Sequence, residues 1–151
     1  MKNILLVLSF VLTMPCSAVL AEQSSSFGDY VVHYNALTTD QILPSIARPY
    51  GILRSKNRAL LNIAVQKKVM GNPVSPVEAD IKVTATNLSA QLKNVEMRKI
   101  TSSGNDDTMA IYYIGELPVA NEETIKFNIS VSPAGSDQTH EFNFNQQFFT
   151  N

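Results

Sequence analysis

Two histidines, His33 and His140, are the only imidazoles in the chain. A metal site would have to draw on both, and with the thioether of Met97 or Met109 the donor set would suit copper. Neither HxH nor HxxxH spacing occurs and no methionine cluster accompanies them, so the ordinary reading is a histidine at a strand surface. Asp106-Asp107 offer carboxylates, yet they follow Ser102-Ser103-Gly104-Asn105, a run of turn-forming residues. The DxDxDG spacing of a calcium loop is missing. There is no GxSxG elbow and no glycine-rich phosphate loop. Asp29 near His33 is the remaining acid/base pairing, and it specifies no reaction.

The densest charged feature is cationic. Between Gln41 and Val77 stand Arg48, Arg54, Lys56, Arg58, Lys67 and Lys68, without one acid. If the chain is extended from Leu53 onward, Arg54, Lys56 and Arg58 share one face at a spacing of about 6.5–7 Å. Such a row would hold a polyanion, an acidic partner or lipid headgroups. With Arg48 and Tyr50 from the preceding segment it forms the candidate binding site. The same row also reads as a solvated strand face that discourages edge-to-edge aggregation.

The chain that must position these residues opens with an export signal. Met1-Lys2-Asn3 is a short positive start, ILLVLSFVL (4–12) an apolar run, and Val19-Leu20-Ala21 a small-x-small cleavage pattern. That order predicts a secretory signal peptide over residues 1–21, leaving one periplasmic domain over residues 22–151. The run is too short to span a bilayer comfortably, and no later run is long enough. Thr13-Met14-Pro15 before Cys16 does not fit a lipoprotein box. Cleavage removes Cys16, the one cysteine, so the processed chain has neither disulfide nor thiolate. Its core alone must hold it, and about 130 residues suffice for one. Charge gives no steering toward nucleic acid. Against 13 Asp and Glu stand 12 Lys and Arg, and losing Lys2 leaves two acids in excess.

Most of the remainder has the period of β-strands. Residues 22–26 read as a polar, flexible start, and FGDYVVHYNAL (27–37) as the first strand. TTDQILPSIARPYG reads as a short helical crossover, started by Pro44 and stopped by Pro49 or Gly51. A second strand over Leu53–Lys67 places Ala59, Leu61, Ile63 and Val65 on one face. VMGNPVSP (69–76) has turn chemistry. Val77 to Thr86 alternate most cleanly, followed by strands around Leu92–Ile100, 109–117, Ile125–Val131 and a last one from His140 to Asn151. The strand over 109–117 is apolar on both faces. In the last, Phe142, Phe144 and Phe148 serve the core, or mark an edge that pairs with a client chain. The count predicts an all-β fold, an immunoglobulin-like antiparallel β-sandwich of about seven strands with one short helical crossover. A small barrel is the alternative.

The order FGDYVVHYNAL, PSIARPYGILRSKNRALLNIAVQ, AIYYIGEL and EFNFNQQFF resembles a family of small exported proteins of Gram-negative bacteria, domain of unknown function 4426. The resemblance runs from about Phe27 to Phe149 and is most specific at Tyr50-Gly51-Ile52, Arg54-Ser55 and Leu61-Asn62. It implies an exported all-β domain and carries no established activity, cofactor or catalytic residue. The expected protein is therefore a non-enzymatic binding or accessory module of the cell envelope, without a cofactor, meeting an envelope protein or anionic ligand. The second reading is a periplasmic copper-binding protein through His33 and His140.

Overall fold

Strands whose apolar residues recur at every second position bury one face and wet the other. The computed structural model, which describes residues 23–103 and 109–151, has ten strands in two antiparallel sheets. In chain order they are β1 (Gln23–Phe27), β2 (Tyr30–Thr38), β3 (Arg58–Val69), β4 (Asn72–Pro76) and β5 (Ala79–Asn87). Then follow β6 (Leu92–Lys93), β7 (Arg98–Ser103), β8 (Met109–Pro118), β9 (Glu123–Pro133) and β10 (His140–Phe148). A six-stranded sheet has the order β1-β2-β3-β8-β7, with β4 paired to the far end of β3; the four-stranded sheet runs β10-β9-β5-β6. Between β2 and β3 lie a 3-10 turn, Thr39–Gln41, and the short helix α1, Pro44–Ala47.

The core lies between the sheets. Leu61, Ile63 and Val65 of β3 and Ile125, Phe127 and Val131 of β9 are fully buried there. Aromatic contacts join the layers: Tyr34 of β2 meets Phe142 and Phe144 of β10, each at 4.8 Å, and Phe144 stacks on Phe127 at 5.0 Å. The architecture is the all-β sandwich expected from the alternation.

Four boundaries differ from expectation. Residues 23–27 are not a flexible start. They pair with β2 from Gln23↔Tyr34 to Phe27↔Tyr30, through a turn in which Gly28 takes φ +50°. A run of serines has no apolar period, so nothing in it announced a strand. Asn72–Pro76, read as turn, adds β4. The expected strand over 92–100 divides into β6 and β7, which belong to different sheets. The strand expected from Leu53 starts only at Arg58. Ten strands thus replace seven. The expected leader and the turn holding Gly104-Asn105 and Asp106-Asp107 lie outside the described residues. Among the described residues, no helix is long and apolar enough to cross a membrane.

Candidate functional site

The outer faces of the two sheets differ. On the four-stranded sheet the outward positions are Lys82, Thr84, Asn128, Ser130, Glu141 and Asn143, a polar face around a shallow depression of about 450 Å³. On the six-stranded sheet, alternation sends Leu60, Asn62, Tyr112 and Ile114 outward, because their neighbours Leu61, Ile63 and Tyr113 serve the core. Yet Leu60 and Ile114 are each only 5% exposed. Something covers them, and it is the crossover between β2 and β3.

The crossover holds its shape through backbone geometry. Leu43 precedes Pro44 at the first helical position, where a missing N–H costs nothing. The amides of Ile46 and Ala47 donate to Leu43 O at 2.9 Å, and Ile52 N donates to Ala47 O at 2.9 Å. Gly51, at φ +64°, allows the chain to turn back. Thr39 is fully buried beneath. Its Oγ1 lies 2.8 Å from Leu53 O and 3.0 Å from Ser55 O, and accepts the Ser55 N–H at 2.9 Å. Ile42, Tyr50 and Ile52, with half-exposed Ile46 at the rim, line a groove of about 380 Å³ between the crossover and the sheet. Its floor is Leu37, Leu60, Ile100, Tyr112 and Ile114. A wider trough of about 760 Å³ shares Asn35, Leu37, Asn62 and Tyr112 with it and extends past His33 to Gln146 and Gln147. An apolar groove with a few convergent amides and hydroxyls is the usual build of a ligand site.

The five cationic-site residues all fall at this end of the molecule, but not as a row. Arg54 and Lys56 precede β3, in irregular chain, so no strand pleat aligns them with Arg58. Arg54 donates through Nε to Ile42 O and through Nη2 to Asp40 O, both at 2.6 Å, and thereby binds the two arms of the crossover together. Arg58 donates to Glu116 Oε2 at 3.3 Å. Arg98 reaches Glu116 Oε1 at 3.7 Å and donates to Tyr50 O at 2.6 Å. Glu78 and Asp80 do not neutralise these cations; they pair with Lys99 at 2.8 Å and Lys82 at 3.8 Å. The hydrogen bond to Glu78 holds the Lys99 ammonium above its ordinary value. Arg48 and Lys56 are exposed, and no hydrogen bond or ion pair ties the side chain of either to the described residues.

A family model described as Domain of unknown function (DUF4426) matches residues 24–151. The chain belongs to the DUF4426 family. Among solved structures, it is similar to the crystal structure of a DUF4426 family protein from Pseudomonas aeruginosa PAO1. The two share 32% sequence identity and a TM-score of 0.70, over 86% of this chain and 96% of the other. No curated protein matches the chain.

In this DUF4426 domain the two histidines lie in different sheets, His33 on β2 of the six-stranded sheet and His140 on β10 of the four-stranded one. His140 sits between the layers, stacked on Phe27 at 4.4 Å, with Nε2 2.8 Å from Ser25 Oγ. His33 falls between Val32 and Tyr34, whose side chains serve the core, so alternation turns it outward into the trough. Among the described residues, no three His, Cys, Asp or Glu gather in a way that would hold a metal. Sequence reasoning missed Glu116 and the groove floor. Both had a signal. Glu116 is a lone carboxylate in an otherwise apolar strand, and burial there requires a partner. Leu60 beside Leu61 breaks the period of two, as a strand covered on both faces does.

Proposed function

We propose that this DUF4426 domain is an exported, non-enzymatic binding module of the cell envelope, and that its ligand-taking element is the groove beneath the crossover. The observation that carries the reading is an asymmetry: the four-stranded sheet turns a polar face outward, whereas the six-stranded sheet keeps an open apolar groove under a separate chain segment. Core packing does not require that opening, since the buried cluster between the sheets is continuous without it. Export is read from the leader pattern in residues 1–21 and from the loss of the one cysteine with it. A sequence without a nucleophile elbow or a phosphate loop supports binding over catalysis.

The ligand that suits such a site is apolar along most of its length, with a neutral polar portion for Asn35, Asn62 and Ser102. Fluorescence titration with the neutral apolar probe N-phenyl-1-naphthylamine tests this. The native chain is expected to enhance its emission saturably. A groove-filling Ser102→Tyr variant and the rim variant Ile46→Asp, with unchanged melting temperatures, are expected to lose the enhancement. A native chain that gives none, or variants that give the same, would refute the site.

A further inference from the structure

We propose that the crossover docks the domain on an anionic bilayer, with Leu43, Ile46 and Leu53 in the interfacial layer and Arg48 and Lys56 against phosphodiester headgroups. The proposal rests on the crossover as ligand-taking element and names the surface it meets. Leu43, Ile46 and Leu53 are 66%, 50% and 65% exposed. Scattered exposed aliphatics are ordinary, but these three stand on one short segment that folds back on itself. Ile46 N bonds Leu43 O, and the Arg54 guanidinium ties the returning arm, next to Leu53, to Ile42 O. The crossover does not need their burial to hold the sheet, because Ala47 is buried and Ile42 and Ile52 line the groove.

Charge selects the partner. From Gln41 to Val77 no acid occurs, and Asp40, just before it, keeps its carboxylate Oδ1 buried. Arg54, Arg58 and Arg98 are engaged internally, which leaves the side chains of Arg48 and Lys56 without a partner among the described residues. Free cations alone would match an isolated phosphate, and exposed aliphatics alone a neutral apolar ligand. Both on one segment match hydrocarbon beneath anionic headgroups. The β3–β4 hairpin tip, where Met70 is 98% exposed beside Lys67 and Lys68, has a similar composition. It lies at the other end of β3, about 36 Å away at strand spacing, and there Lys67 rests 5.5 Å over the Tyr30 ring.

Cosedimentation of the processed chain with vesicles tests the proposal, comparing equal parts phosphatidylglycerol and phosphatidylcholine with phosphatidylcholine alone. The native chain is expected to bind the anionic vesicles preferentially, and less so as salt rises. Arg48→Ser with Lys56→Ser should weaken that binding by about fivefold for each cation. Leu43→Ser with Leu53→Ser should weaken binding to both vesicle types, and Met70→Ser should leave it unchanged. Equal binding to the two vesicle types, no binding to either, or a loss confined to Met70→Ser would overturn the proposal. Polyglutamate bound in preference to anionic vesicles would place an acidic protein there instead. If vesicle binding fails while the naphthylamine titration still reports the groove, only the membrane proposal falls. Failure of both ends both readings.

Discussion

At the scale of single residues, the crossover hangs on Thr39. Its hydroxyl serves the backbone of Leu53 and Ser55 from a fully buried position. Thr39→Val keeps the shape but leaves the Ser55 N–H unpaired, so urea unfolding should show a loss of about 1–3 kcal/mol. Naphthylamine binding should weaken in the same variant, because the lid of the groove loosens. Glu123 is the second residue with a definite consequence. Burial works against its carboxylate, but hydrogen bonds from Lys93, from the Ala120 N–H and from Asn87 prevail and hold the carboxyl below its ordinary value. A carboxyl depressed in the folded state gives stability that is complete above its ordinary value, near 4.5. That stability disappears as pH falls through the lower folded value. Urea midpoints measured across acidic pH should therefore decline there, and Glu123→Gln should decline less steeply over the same range.

At the scale of elements, the link from β6 to β7 crosses from one sheet to the other over Gly115 of β8. A Cβ at Gly115 would stand 2.6 Å from both Met97 Sδ and Val95 Cγ1, and 3.3 Å from Glu96 O. Gly115→Ala should thus destabilise the domain by about 1–3 kcal/mol through overpacking, readable as a lower melting temperature. The same element shows what sequence can and cannot reveal. The alternation in Ala79–Asn87, Glu123–Pro133 and His140–Phe148 made those strands legible, because each buries one face against the core. The passage of Leu92–Ile100 from sheet to sheet was hidden, since neither half is long enough to carry a period. The cationic residues were legible as a cluster but not as a geometry. Extended spacing aligned Arg54, Lys56 and Arg58, whereas Thr39 and Arg54 itself hold that stretch in a folded loop.

At the scale of the whole molecule, one sheet is finished and the other is not. The four-stranded sheet has a wet outer face that asks for no partner. The six-stranded sheet carries the crossover, the apolar groove and two arginines that share Glu116. With 12 Lys and Arg against 13 Asp and Glu the chain is slightly acidic, so attraction to an anionic surface would be local to this end and not a property of overall charge. The proposed function requires that this face, and not the opposite one, takes the ligand. The most direct measurement is a map of backbone amide shifts by two-dimensional NMR as N-phenyl-1-naphthylamine is added. Shifts are expected at Leu37, Ile46, Ile52, Leu60, Ile100 and Ile114. Shifts centred instead on Lys82–Thr84, Asn128–Ser130 and Glu141–Asn143, or scattered over both faces, would contradict the claim.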